Sequence, residues 1–127
     1  MRIAIDTNRY SDLARGDKAV QTAVQNAEEV FVPFPVLAEL RIGFLGGSKG
    51  ADNERQLREF LRRAGVSVLF ADEPTTRHFA SLMLQLRRQG TPLPINDVWI
   101  AALTLQHGLT LYARDKHFDH IPQLMRL

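Results

Sequence analysis

Four acids stand where carboxylates are uncommon. Asp6 ends the apolar run RIAI, Asp115 comes two residues after the run LTLYA, Asp97 heads VWIAAL, and Glu39 lies within PVLAELRIGFLG. An ionised carboxylate is expensive to desolvate and persists in such surroundings only with a partner. Singly, each has an ordinary alternative. A strand-end Asp can cap a turn or helix, Asp97 can be an N-cap or first-turn acid, and Glu39 can be a solvated helix residue. Within a few ångströms of one another, however, the four would raise each other's pKa unless a cation lay between them. Hard oxygen donors with room for bound water select Mg2+, with Mn2+ next, and disfavour zinc. The chemistry of such a centre is attack of water on a phosphodiester, with the ion lowering the water's pKa and neutralising charge on the phosphate.

The elements that must deliver these groups are legible in the hydropathy pattern. RIAI (2–5), VFVP (30–33), VSVLF (66–70) and LTLYA (109–113) are apolar runs of strand length, and HFDHIPQLMRL allows a short fifth strand. Between them, helical spacing predicts a short helix from Asn8 to a stop at Gly16. A second starts at Asp17 and carries Val20, Ala23, Val24 and Ala27, and a third runs from Pro35 to Gly46 and Gly47 with Leu37, Leu40 and Phe44 on one stripe. Further helices fall in NERQLREFLRRAG, in EPTTRHFASLMLQLRRQG and in INDVWIAALTLQHG. GGSKGADNE reads as a loop, and it is not a P-loop because G-x-x-x-x-G-K-[ST] is not satisfied around Lys49. Strands alternating with helices give an α/β layer fold with a mostly parallel sheet of four to five strands. Ligands of such sheets sit beyond the carboxyl ends of the strands, where Asp6 and Asp115 fall.

A length of 127 residues favours one domain, 1–127, able to enclose a single core. The absence of cysteine removes a disulfide framework, a thiolate nucleophile and any Cys-ligated metal, and it agrees with a reducing compartment. MRIAID meets an acid before any apolar stretch reaches signal-peptide length, and no run is long enough to span a membrane, so a cytoplasmic protein is expected. A net charge of +2 permits nucleic-acid binding without requiring it.

Four segments together, IDTN, VLAELRIG, PINDVWIAA and LYARDKHFDHI, resemble the PIN-domain ribonucleases, and most of all the VapC toxins of toxin-antitoxin pairs. The similarity spans nearly the whole chain. It implies a three-layer sandwich around the parallel sheet, a Mg2+-dependent endoribonuclease, a VapB-like antitoxin that covers the site, and a homodimer. By that resemblance Asp6 and Asp97 match the main metal-coordinating acids, Glu39 the third acid, which helps hold the ion or position water, and Asp115 the fourth. Asn8 matches a polar residue that could orient Asp6. Where the family often has Thr or Ser, two residues before the fourth acid, this chain has Ala113, which puts the local support of Asp115 in question.

An RNA substrate needs cationic surface beside the acids, and Arg9, Arg41, Arg114 and Lys116 are the candidates by proximity in sequence. Arg55, Arg58, Arg62 and Arg63 form the outer face of an amphipathic helix and read as solvated. His117 and His120 are three apart, but nothing else in their segment completes a zinc site. The Leu- and Phe-rich helices around Phe31–Phe44 and Leu57–Leu61 carry enough apolar surface for a homodimer face and an antitoxin groove. Two other readings compete. A phosphatase with a strand-end nucleophile is disfavoured because DTN lacks a D-x-D pair, and a nuclease-like module that binds RNA or protein without effective cleavage has Ala113 as its support.

Overall fold

The computed structural model describes residues 1–127. Strands β1 (Arg2–Ile5), β2 (Glu29–Pro33), β3 (Val66–Leu69), β4 (Thr110–Tyr112) and β5 (Met125–Arg126) form one sheet in the order β3-β2-β1-β4-β5, and every neighbouring pair is parallel. The helices are α1 (Thr7–Ala14), α2 (Lys18–Asn26), α3 (Phe34–Gly46), α4 (Gly50–Leu61), α5 (Glu73–Gln89) and α6 (Ile95–Gln106), and a 3-10 turn spans Lys116–His120. This is a PIN-like α/β sandwich with the sheet in its middle layer.

Central strands of such a sheet are covered on both faces, which explains why RIAI is apolar without alternation: Ile3, Ala4 and Ile5 are all fully buried. Helix α6 is apolar for the same reason. Val98, Ile100, Ala101, Ala102 and Leu103 have no exposure, because α6 packs at once against α5, α3 and β4. Helix α5 is tied at its start by a capping box, in which the Asp72 carboxylate accepts from Thr75 N–H at 3.2 Å and Thr75 Oγ1 accepts from Asp72 N–H at 3.0 Å. It stops at Gly90, whose φ of 72° is the left-handed cap that a side chain disfavours.

One segment departs from the sequence reading. Residues 50–52, expected in a loop ahead of a helix starting at Asn53, already belong to the first turn of α4. Gly50 sits only at the helix start, where a weak helix former is tolerated, Asp52 lies in the first turn facing the positive end of the dipole, and Glu54 is held from α3 by a two-pronged pair with Arg41. Helix α1 begins at Thr7, one residue earlier than expected, so that Asp6 is its N-cap residue.

The register places the acids. Ile3 pairs with Val30 on one side and Thr110 on the other, and Asp6 N–H donates to Tyr112 O at 3.0 Å, extending the β1–β4 ladder past the end of β1. The chain after β4 is pinned from below by Phe118, Ile121 and Leu124, all buried, so the turn that follows Asp115 is part of the core.

Candidate active site

Asp6 leaves β1 in an extended conformation and is only 5% exposed, because the sheet covers it on one side and α1 starts immediately after it. Asp97 lies in the first turn of α6, whose apolar body fastens the helix to the sheet while its amino end faces the rim. Asp115 precedes the 3-10 turn and caps it, with its carboxylate accepting from His117 N–H at 2.9 Å. Glu39 comes from the second turn of α3 and is half-buried. Four distant segments thus meet beyond the carboxyl ends of β1 and β4.

The tightest group is not the one the sequence indicated. His117 Nδ1 lies 2.8 Å from Asp97 Oδ2 and 3.3 Å from Asp115 Oδ1, and these three side chains each offer a ligand atom within 4.8 Å of the others. Asp6 and Glu39 stand outside that tight group but within its electrostatic reach. Burial, foremost, pushes Asp6 up from 3.8 to about 6; the Thr7 backbone N–H opposes this, and the charges of Asp97, Glu39 and Asp115 add to it. Glu39 is raised first by burial and further by Asp97, with Asn96 and the nearby Thr7 hydroxyl opposing. Asp97 is raised by burial and by Asp115, while contact with His117 works the other way. The hydrogen bond to Asp97, ahead of other causes, raises His117.

Acids whose pKa values are lifted by burial and by one another are short of positive charge. Thr7 Oγ1, buried beside Glu39 without a well-formed hydrogen bond to any protein group, is an unsatisfied polar atom at the same place. Hard carboxylates with one imidazole suit a divalent cation that keeps some of its water. The residues present therefore fit such an ion.

The other residues singled out in the sequence are placed as follows. Asn8 is exposed and makes no hydrogen bond to Asp6; the Thr7 backbone N–H acts on that carboxylate instead. Arg9 lies over the Tyr112 ring, 4.7 Å from its centroid, and 3.6 Å from Asp12, and Arg114 pairs with Asp12 at 3.0 Å. Arg41 is occupied by Glu54, which also takes Arg58. Lys116 is exposed and forms no ion pair. His120 is exposed, and only its backbone carbonyl is engaged, by Gln89.

Sequence reasoning missed three residues. His117 was weighed only as half of a zinc pair with His120, and its partner Asp97 lies in another segment, although its place two residues after Asp115 was a signal. Asp12, 8% exposed, gathers Arg9, Arg15 and Arg114, and the Arg114 hydrogen bond is the largest cause of its lowered pKa. Arg126 donates to Ala113 O at 2.9 Å and to Asp115 O at 3.4 Å, and it pairs with Asp119 at 2.9 Å. The guanidinium thus braces the backbone on both sides of Arg114, where the hydroxyl absent at Ala113 had left the support of Asp115 in question.

Four clefts in the surface, of about 170 to 490 Å³, are lined by residues in or just after α1 to α4 and include none of the four acids.

Fold and site together define a PIN-like α/β protein with carboxylates gathered at the carboxyl edge of its sheet. The PIN domain family profile matches residues 3–124. Over 88 residues the chain is 32% identical to Ribonuclease VapC4 of Mycobacterium tuberculosis, covering 69% of this chain and 68% of that one. Over 121 residues it is 31% identical to VapC ribonuclease Y4jK of Sinorhizobium fredii, covering 89% and 86%. The structure of VapBC-1 from nontypeable Haemophilus influenzae superposes with a TM-score of 0.88 at 26% identity, covering 100% of this chain and 97% of that one. The chain belongs to the PIN-domain family, among its VapC members. No helix is long and apolar enough to cross a membrane.

Proposed function

We propose that this protein is a Mg2+-dependent endoribonuclease and the toxin of a type II toxin-antitoxin pair, held in check by a VapB-like antitoxin. The observation that carries the reading is the meeting of Asp6, Glu39, Asp97 and Asp115 at one rim, with three of the four carboxyls raised by burial and mutual repulsion. Asp97 and Asp115 would hold the ion, with Asp6 behind them. When bound, it lowers the pKa of water and neutralises charge on the scissile phosphate. Glu39, outside the tight group, is the carboxylate available to orient a water and take its proton. Asp6 supplies charge from beneath, and Arg126 keeps the Asp115 backbone fixed.

Lys116, next to Asp115 and free of any acid partner, is the cation best placed to meet a phosphate. Both relatives cited are named as ribonucleases, and among the structural neighbours VapBC-5 of Mycobacterium tuberculosis is named a member of the VapBC family of toxin-antitoxin systems. Ile42 and Leu45 on α3, 71% and 89% exposed, are apolar surface that a homodimer or an antitoxin would cover.

The test is cleavage of labelled RNA. The wild type cuts in Mg2+ and stops in EDTA, and Asp97→Asn loses cutting by at least about 100-fold while still folding. RNA that stays intact in Mg2+ but is tightly bound would favour the non-cleaving module instead.

A further inference from the structure

His117 is an imidazole of the rim that the four-acid scheme does not use, and a folded turn presents it there. Its backbone N–H is fixed by Asp115, and the next residue, Phe118, is 1% exposed and anchored in the core. The imidazole is therefore presented to the acids by a folded turn, while about half of its side-chain surface, 47%, stays open to an ion arriving from solvent. Nδ1 lies 2.8 Å from one carboxylate oxygen of Asp97 and 3.3 Å from one of Asp115. Neighbouring ligand atoms around an octahedral ion with bonds of about 2.1 Å are about 3.0 Å apart. The separations of 2.8 and 3.3 Å fall on either side of that edge length, so Nδ1 is spaced from Asp97 and Asp115 as a neighbouring ligand of one ion would be.

We propose that His117 is a ligand of the divalent ion through Nδ1, and that this nitrogen tilts the site from Mg2+ towards Mn2+; the inference rests on the metal-dependent reading above. Mg2+ strongly prefers oxygen donors, whereas imidazole becomes a better ligand along the first-row transition series. Replacing one oxygen vertex by nitrogen penalises Mg2+ more than Mn2+. The competing role for His117 is that of a hydrogen-bond partner of Asp97 that stays outside the shell. The two roles differ in whether a metal–nitrogen bond forms.

The deciding experiment uses the full chain and Mn2+ as the probe, with pulsed electron paramagnetic resonance reading 14N coupling and a titration giving Kd for Mn2+ and, by competition, for Mg2+. The wild type shows a directly bonded nitrogen, His120→Gln keeps it, and His117→Gln loses it. The preference for Mn2+ over Mg2+ falls about tenfold in His117→Gln. His117→Asp, which returns an oxygen ligand, binds the ion without the nitrogen signal and moves the preference in the same direction, so loss of folding cannot imitate the result. Mn2+ bound by the wild type with no bonded nitrogen, or an unchanged preference in His117→Gln, overturns the role of His117 while leaving the metal site standing. No binding of Mn2+ at all overturns both.

Discussion

Replacing Asp6 by Asn should make the ion-free protein more stable. Asp6 is 5% exposed, and its carboxyl midpoint stands at about 6 instead of 3.8. At 1.36 kcal/mol per tenfold change in the equilibrium, that displacement is worth about 3 kcal/mol against the folded state when the group is ionised. Because the folded pKa lies above the unfolded one, the penalty is full above about pH 6. It shrinks as the pH falls from there towards 3.8, and below that it is gone. The Asn variant removes the charge but keeps the shape and an oxygen for the Thr7 N–H. In EDTA at pH 7.5 it should therefore melt about 10 °C higher than the wild type, given how steeply stability depends on temperature in a domain of this size. At pH 4 the gain should nearly vanish, and at pH 7.5 in saturating Mg2+ the wild type should recover much of the difference. Thermal unfolding followed by circular dichroism reads all three conditions. A variant no more stable than the wild type at pH 7.5, or one equally stabilised at both pH values, would refute the view that Asp6 is held at the expense of stability.

The same pKa makes ion binding pH-dependent: Kd for Mg2+, measured by calorimetry, should weaken about tenfold between pH 7 and pH 5 as Asp6 becomes protonated. Phe118→Ala should cost about 3 kcal/mol or more in urea unfolding, since the ring is 1% exposed, and should lower RNA cleavage even where the protein remains folded, because Asp115 and His117 lose their anchor. Lys116→Ala should weaken RNA binding across sequences and reduce the slope of log K against log salt by about 1, whereas Arg41→Ala, removing a cation already paired with Glu54, should leave that slope nearly unchanged.

The acids were legible because each breaks an apolar pattern. Asp97 heads a helix with no polar face, and Asp6 and Asp115 follow strands that turn out to be neighbours in the sheet, so the pattern of burial pointed to the rim before any coordinates did. What was hidden depends on contacts between distant segments. His117 and Lys116 are adjacent and both polar, and only the fold shows that one faces two carboxylates while the other has none. Arg9, Arg41 and Arg114 looked alike as basic residues near acids, but Asp12 and Glu54 already hold them, and neither acid is marked by its neighbours in sequence. The start of α4 was obscured by local composition: three glycines and a lysine spell a loop, and the ion pair that fastens Glu54 comes from another helix.

The pairing of β1 with β4 joins Ile3 to Thr110, and Asp115 comes later still. A chain emerging from the ribosome carries Asp6 from the outset yet has no centre until almost all of it has been translated and the last parallel strands have docked. Long-range topology thus acts as a timer, keeping the acids apart until the last strands are in place.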